Sequence, residues 1–244
     1  MGLRLDKVLL SRGLVGTRSR ARDLIVRGAV AVDGAVETKP GAVVQQDAPI
    51  ELLEDADYVS RGSLKLIAAL EAFGFDPAGR RALDVGASTG GFTEVLLRRG
   101  AAHVVAVDVG HGQLHPKLAC DPRVAQHEGR DARTLTQADV GTPVGAIVAD
   151  VSFISLEKAL PAALALASPG AWLVALIKPQ FEAGRDAVGK GGIVRDAAVR
   201  VAQAEKIAVW IADHAGWRVV GLIPSPVVGG SGNREFLIGA MLDG

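Results

Sequence analysis

The sequence predicts an α/β protein in which a Rossmann-like domain follows a small α+β domain at the amino terminus. From residue 81 onward, apolar runs of strand length alternate with helical patterns, as in a doubly wound parallel sheet. A glycine-rich turn at residues 86–91 directly follows the first of these runs. The first 55 residues differ, because they combine two short helical patterns with short strands and an excess of basic side chains.

The amino-acid composition excludes several classes of protein. Of the 244 residues, 49% are hydrophobic, which is enough for a packed core and argues against disorder. The net charge is zero, yet residues 1–30 carry seven Lys or Arg against Asp6 and Asp23. Cys120 is the only cysteine, so intrachain disulfides and a cysteine-rich metal site are excluded. With no signal-peptide pattern, we expect a cytoplasmic protein.

The amino-terminal unit is predicted from local patterns. Leu3 to Arg12 and Thr17 to Arg27 have helical apolar spacing. Asp33-Gly34 lies between two short apolar runs and predicts a hairpin with a type I′ turn. A further strand near Ile50 to Leu53 completes a domain of residues 1–55, and residues 56–60 form a polar linker to a second domain at 61–244.

Basic side chains on the two amino-terminal helices are candidates for phosphate contacts with a folded RNA. Taken alone, an arginine-rich helix is more often simply a solvated face, so both interpretations stay open. The candidate RNA-binding residues are Arg4, Lys7, Arg12, Arg18, Arg20, Arg22 and Arg27.

The second domain begins with a helix, Ser63 to Phe73, and a buried strand that ends at Val85. The turn after it reads D-x-G-x-x-x-G-G rather than the G-x-G-x-x-G of dinucleotide sites. This spacing is similar to the first motif of methyltransferases that use S-adenosylmethionine (SAM). Asp108 ends the next apolar run, where a carboxylate can accept hydrogen bonds from a ribose. The alternative is an ordinary strand-to-helix turn.

Five more strands and two helices are predicted after residue 108. The helices are Ser155 to Ala167 and Arg195 to His214. The strands are Val124 to His127, Val144 to Ala149, Trp172 to Ile177, Trp217 to Ile223 and Glu235 to Leu242.

An uncharged run, Ala159 to Ile177, approaches the length of a membrane span. Pro161 and the Ser168-Pro169-Gly170 turn divide it, so we expect a buried helix, a turn and a buried strand.

Asp150 and Lys178 each follow an apolar strand at the edge of the sheet where ligands bind. Burying such charges is costly without a partner or a task, although each strand could simply emerge into water there. The loop Gly184 to Gly191 resembles a Walker A sequence but lacks the final Ser/Thr, so no NTPase is predicted. The five histidines show no ligand spacing, and no metal is predicted.

Six stretches together resemble the TlyA family, which joins an S4 RNA-binding domain to an FtsJ-like methyltransferase domain. They are Val59–Leu66, Asp84–Phe92, Asp108–Leu114, Asp150–Leu156, Ile177–Glu182 and Asn233–Phe236. The pattern of an S4 domain is matched from Arg4-Leu5-Asp6 to Val32-Asp33-Gly34. Departures occur at Ser63, where the family often has glycine, and at residues 56–59, which lack the Arg-x-Trp-Val linker of some members.

The resemblance implies a SAM-dependent enzyme that methylates cytidine ribose 2′-hydroxyls of ribosomal RNA, with the large subunit favoured by the short amino terminus. Its partner would be ribosomal RNA or a ribosomal subunit, with no membrane role. The alternatives are a non-catalytic RNA-binding or assembly factor, and a cytolysin, since some members are labelled hemolysins.

Carried over residue by residue, the family's catalytic tetrad falls on Lys65, Asp150, Lys178 and Glu235. Lys178 would act as the base or as the cation that stabilises the developing alkoxide; burial and Lys65 favour the base role, and Asp150 opposes it. The implied cofactor-binding residues are Asp84, Gly86, Ser88, Thr89, Gly90, Gly91 and Phe92 of the turn, Asp108 at the ribose, and Asp131 at the adenine amino group.

Overall fold

The computed structural model describes residues 2–26, 28–53, 58–184, 187–189, 191–229 and 232–244, with the side chains of Ser19, Arg20 and Asp23 not described. The chain divides into two compact units, Met1–Arg61 and Gly62–Gly244. Of the loop that resembles a Walker A sequence, Arg185, Asp186 and Lys190 lie outside the described residues.

The first unit contains short strands and two helices. In chain order these are β1 (Gly2–Arg4), α1 (Leu5–Ser11), α2 (Arg18–Val26), β2 (Val30–Val32), β3 (Ala35–Val36), β4 (Val43–Gln45) and β5 (Ile50–Leu52). β1 pairs with β4, while β3, β2 and β5 form a separate antiparallel sheet. Leu5, Leu9, Leu24, Ile25 and Val30 are among the buried side chains that the helices and β2 contribute to a common core.

The predicted hairpin is confirmed. Asp33 and Gly34 have φ values of 51° and 78°, the positive angles that a type I′ turn requires. The predicted helix start at Leu3 is wrong, because Gly2–Arg4 pairs as a strand with Val43–Gln45 and the helix begins at Leu5. Long-range pairing here overrides the local helical pattern.

The second unit is built on a mostly parallel sheet with the order β11-β12-β10-β9-β6-β7-β8. Its strands are β6 (Arg81–Val85), β7 (His103–Asp108), β8 (Val124–Glu128), β9 (Val144–Ala149), β10 (Ala167–Ile177), β11 (Trp217–Pro224) and β12 (Phe236–Leu242). Its helices are α3 (Gly62–Phe73), α4 (Gly91–Arg98), α5 (Pro116–Ala119), α6 (Gln137–Val140), α7 (Leu156–Ala159), α8 (Pro161–Leu164), α9 (Pro179–Glu182) and α10 (Ala197–Ala212). The predicted Rossmann-like fold is confirmed.

The central strands are apolar on both faces because helices cover both sides of the sheet. Leu83, Ile147 and Leu173 are fully buried in neighbouring strands and belong to one core with residues of α10. Trp172 stacks on Phe75 with ring centroids 5.2 Å apart, which closes the core near the start of β10.

The predicted helix Ser155 to Ala167 is wrong in one respect, since two short helices replace it. α7 ends at Ala159 and α8 starts with Pro161 as its first residue, because proline lacks the N–H that a continuous helix needs. β10 then begins at Ala167, five residues earlier than predicted, with a register shift before Trp172. Within the described part of the chain, no helix is both long and apolar enough to cross a membrane.

The sheet register brings the candidate residues to one edge. Parallel pairing sets Ala149 beside Val85 and Ala175, so β6, β9 and β10 end together. Antiparallel pairing of Ile177 with Phe236 puts the start of β12 at the same edge. The residues that follow β6, β9 and β10, and the residue that precedes β12, therefore converge.

Candidate active site

The turn between β6 and α4 needs glycine at two positions. A Cβ on Gly86 would lie 2.7 Å from the carbonyl oxygen of Asp150, and Gly86 has a φ of 82°. Gly90 caps α4 with a φ of 94°, and a Cβ there would collide with Leu118. Both positions combine a left-handed backbone with close packing, which only glycine accommodates without strain.

Asp84 lies beneath this turn and is fully buried. Its Oδ2 accepts a hydrogen bond from Thr93 Oγ1 at 2.6 Å, whereas Oδ1 has no partner among the described residues. Burial raises the pKa of Asp84 to about 7, an effect that Thr93 opposes and the charges of Asp150 and Asp108 reinforce. Asp84 thus supports the turn from below.

A cavity of about 350 Å³ opens above the turn at the ends of β6, β7 and β9. Four of the predicted cofactor-binding residues line it: Gly86, Ser88, Asp108 and Asp131. The other five do not, because Asp84, Gly90, Gly91 and Phe92 are buried behind the turn and Thr89 faces solvent away from the cavity lining.

Asp108 is held in a fixed orientation at the end of β7. Its Oδ2 accepts from the backbone N–H of Ser88 at 2.8 Å and its Oδ1 from that of Gly110 at 2.7 Å. Each carboxylate oxygen keeps a further lone pair, so Asp108 can still accept bonds from two hydroxyl groups.

Asp131 is also constrained, because it caps a 3₁₀ turn (Ala132–Thr134) and pairs with Arg133 at 2.6 Å. The hydrogen bonds from Arg133 lower the pKa of Asp131 and keep it ionised. It remains on the wall of the cavity as a fixed acceptor.

Val109, Gln113 and Arg130 also line this cavity, although they were not among the predicted site residues. Arg130 Nη2 donates to Asp139 at 2.8 Å, whereas its buried Nε has no partner among the described residues. An available signal was its position two residues after β8 and directly before Asp131.

Lys178 and Asp150 form an ion pair at the ends of adjacent strands. The distance from Lys178 Nζ to Asp150 Oδ1 is 2.6 Å, and Nζ also donates to Ser152 Oγ at 2.8 Å. Asp150 and Ser152 belong to the lining of the same cavity. The pair thus adjoins the cavity wall directly.

Lys65 and Glu235 form a second ion pair, from Lys65 Nζ to Glu235 Oε2 at 2.6 Å. Their side chains are only 9% and 2% exposed. A Cβ on Gly229 would collide with the Glu235 carboxylate, so the loop after β11 lies close over that group. The structure therefore arranges the predicted tetrad as two salt bridges.

Glu182 is a half-buried carboxyl group near this edge. Its Oε1 accepts from the backbone N–H of Leu156 at 3.0 Å, while Oε2 has no partner within the described residues. Burial raises the pKa of Glu182 to about 7; the Leu156 hydrogen bond and Lys206 oppose this rise and Glu157 reinforces it. It ties α9, which follows Lys178, to the start of α7, the helix that comes after the Asp150 loop.

Phe153 stands in that loop with an unusual conformation. Its φ is 65°, in the left-handed region that side chains with a Cβ rarely adopt, and its side chain is 90% exposed. The ring lies 5.0 Å from that of Phe181 and lines the mouth of the cavity. No sequence pattern indicated this exposed aromatic surface.

The predicted RNA-binding residues of the first unit fall into three groups. Arg4 and Arg18 both pair with the buried Asp6 at 3.0 Å, and their hydrogen bonds, Arg4 foremost, lower the pKa of Asp6 to about 2. Arg12 donates to the carbonyl groups of Gln46 and Ala48. Lys7 and Arg22 are exposed. Arg27 and the side chain of Arg20 lie outside the described residues.

Comparison with known proteins shows two family matches. Residues 58–241 match the FtsJ-like methyltransferase model, and residues 3–50 match the S4 domain model. The 16S/23S rRNA (cytidine-2′-O)-methyltransferase TlyA of Mycobacterium tuberculosis is 48% identical, over 96% of this chain and 88% of the relative.

Two further relatives carry the name hemolysin. Hemolysin A of Brachyspira hyodysenteriae is 40% identical over 96% of this chain and 98% of its own length. The solved structure of a hemolysin-named protein from Streptococcus thermophilus superposes with a TM-score of 0.77 at 39% identity, covering 99% of this chain and 89% of the other.

Proposed function

Since the chain belongs to the FtsJ-like methyltransferases, and within them to the TlyA family, we propose that it transfers a methyl group from SAM to a ribose 2′-hydroxyl of ribosomal RNA. Cytidine is the proposed nucleotide because the M. tuberculosis relative is named for that base. The large subunit is the proposed preferred particle, and the S4 domain is the proposed RNA anchor.

The cavity beside the glycine turn fits SAM. Gly86 lines the cavity, and its lack of a side chain lets the turn pack closely against the backbone of Asp150, which lines the same cavity. Asp108 would hold the ribose hydroxyls, and Asp131 with Arg130 would face the adenine. When bound, SAM supplies a methyl group already activated by its sulfonium charge.

A ribose hydroxyl is a weak nucleophile near neutral pH, so the protein must position it and assist the loss of its proton. We assign Lys178 to stabilising the negative charge that develops on the 2′-oxygen, because its Nζ lies 2.6 Å from Asp150, which lines the cavity. Lys65 and Glu235 would complete the positioning of the ribose from the side of β12.

The exposed ring of Phe153 is suited to stacking against an RNA base. Sequence-specific RNA recognition uses unstacked bases placed on aromatic side chains, and enzymes acting on a nucleotide within a helix must first extrude it. The ring lies on the same cavity as Asp150, so a base stacked there would bring its own ribose to the ion pair.

A single observation supports the assignment most strongly: Asp150 belongs both to the wall of the cofactor-sized cavity and to the ion pair with Lys178. The methyl donor and the groups that act on the hydroxyl would thus share one wall.

The test is incubation of the protein with labelled SAM and purified large subunits, small subunits or protein-free ribosomal RNA. We expect label in RNA, at a ribose. Lys178→Ala should lower turnover at least about a hundredfold while SAM affinity, measured by calorimetry, stays within about twofold. Lys206→Ala, which removes an exposed lysine paired with Glu157, is the matched control and should retain activity.

Label absent from all three RNA preparations would overturn the enzyme assignment and leave a non-catalytic RNA-binding factor as the better account. Lysis of membranes by the purified protein would instead support the hemolysin name that some relatives carry.

A further inference from the structure

A second groove adjoins the tetrad on the side away from the cofactor cavity. It measures about 360 Å³ and lies among the start of α10, the loop after β11 and the start of β12. Its floor is apolar and two guanidinium groups border it. The lining residues that matter here are Arg200, Pro226, Val228, Arg234, Glu235 and Phe236.

Sheet topology fixes the position of this groove relative to the cofactor cavity. Pro224 and Ile177 both pair with Phe236, so β11 and β10 end at the edge where β12 begins. The groove lies at the end of β11 and the start of β12. The two ion pairs come next along the edge, at β12, β10 and β9. The cofactor cavity follows at β9, β6 and β7. The groove and the cavity therefore flank the ion pairs.

The two arginines give the groove a positive charge. Arg200 Nη1 donates to the carbonyl groups of Val194 at 3.0 Å and Arg195 at 2.6 Å, which orients the guanidinium. Its Nε and Nη2, and the exposed guanidinium of Arg234, make no ion pair with a carboxylate in the part of the chain that the structure describes. Glu235, the acidic group of the lining, is already neutralised by Lys65.

We propose that this groove binds the nucleotide next to the methylated one, with its phosphate on Arg200 and Arg234 and its base or sugar on the apolar floor. The inference rests on the proposed function, because an RNA strand that presents its ribose to the tetrad must continue past β12. Guanidinium groups bind phosphate through paired, charge-assisted hydrogen bonds. Apolar surface beside them suits an unstacked base.

The test compares RNA binding and methyl transfer by the full-length wild type, Arg234→Ala and the double variant Arg200→Ala with Arg234→Ala. For Arg234→Ala we expect the KM for protein-free ribosomal RNA to rise about tenfold and the double variant to exceed it, with SAM affinity unchanged. The slope of log affinity against log salt should fall by about one for each arginine removed.

Arg218→Ala is the matched control. Arg218 lies on β11 as well, but near Met241 at the opposite edge of the sheet, so its removal should leave the KM and the salt slope unchanged. Arg234 is exposed, and its single variant guards against a loss of folding caused by removing the backbone contacts of Arg200.

RNA affinity is also measured by filter binding without SAM, which separates this inference from the proposed function. If the wild-type protein methylates no RNA, the proposed function is wrong. The comparison of RNA affinities would still test whether the groove binds RNA. Equal affinity and equal salt slope for all variants would overturn the groove assignment. A loss seen on ribosomal particles but not on protein-free RNA would also overturn it, in favour of an acidic protein partner.

Discussion

Lys65 and Glu235 are 170 positions apart in the sequence, yet their side chains meet in a buried ion pair of 2.6 Å. Lys65 comes from the first turn of α3, and Glu235 directly precedes β12. Removing one member of a buried pair leaves the other charge without compensation, whereas replacing both with apolar groups often costs little. This contrast separates the structural role of the pair from its proposed catalytic role.

We expect Lys65→Met and Glu235→Leu each to lower the free energy of unfolding by about 3 kcal/mol. The double variant should regain most of that stability but no methyl transfer, because stability needs compensation whereas the reaction needs the polar groups. Urea unfolding with activity measured in parallel provides the check. Additive losses in the double variant would show that the two charges do not depend on each other.

Glu182 predicts a pH-dependent contribution to stability. Its pKa is about 7 in the folded protein against an ordinary value of 4.5, so folding favours the protonated form. Its contribution is therefore fully favourable below pH 4.5 and is lost as pH rises toward 7. Glu182→Gln keeps an acceptor for Leu156 N–H but cannot ionise. Relative to the wild type it should become more stable by about 2 kcal/mol between pH 5 and pH 8, a value reduced for partial solvent exposure.

Thermal or urea unfolding of both proteins at those two pH values measures this difference. Glu182→Ala, which also removes the Leu156 hydrogen bond, is the companion variant and should be less stable than Glu182→Gln at both. A stability difference between Glu182→Gln and the wild type that does not change with pH would contradict the raised pKa.

The close packing of Gly86 against Asp150 links the glycine turn to the loop after β9. Gly86→Ala adds a Cβ that meets the carbonyl oxygen of Asp150, in a residue whose φ is already positive. Gly79→Ala is a matched control, because Gly79 has a φ of 70° and open space at its Cβ. The control should lose about 1 kcal/mol of stability and no activity, since only the backbone conformation is strained.

Gly86→Ala should lose more stability than the control, and it should also bind SAM more weakly and react more slowly because the Asp150 carbonyl must move. Calorimetry with SAM and methyl-transfer rates distinguish the two variants. Equal stability, SAM affinity and rate in the two alanine variants would show that activity does not depend on the close contact between Gly86 and the Asp150 carbonyl.

The contacts of the basic side chains in the first unit indicate which of them are available to bind RNA. Arg4, Arg18 and Arg12 are engaged with Asp6 or with backbone carbonyl groups, whereas Lys7 and Arg22 are exposed. Changing Lys7 and Arg22 together to alanine should weaken binding of ribosomal RNA and reduce its salt slope by about two. The charge-preserving pair Lys7→Arg with Arg22→Lys should retain most of both, and unchanged binding by the alanine pair would place the phosphate contacts elsewhere.

The strands of the second unit were predictable because each is buried on both faces and so is written as a continuous apolar run, as Val144 to Ala149 shows. The type I′ turn at Asp33 was predictable because its chemistry is local. The start of α1 was not, since it depends on the pairing of Gly2–Arg4 with the strand Val43–Gln45, far along the sequence.

Within the candidate site, Asp150 and Lys178 were identifiable because a charge after a buried strand is unusual. Lys65 was assigned through the family resemblance alone, because its partner is distant in sequence and its helix offers several polar positions. The exposure of Phe153 and the burial of Glu182 depend on backbone geometry and on packing of α9, neither of which has a periodic pattern.

The insertion of β12 between β10 and β11 has a consequence for biosynthesis. A ribosome must translate almost the whole of the second unit before the strand that follows Glu235 exists, and the sheet stays divided until that strand docks. A nascent chain that has been translated past Lys178 already contains the glycine turn but still lacks Glu235. Completion of the tetrad therefore depends on Glu235, which directly precedes β12, the strand of the second unit that is translated last.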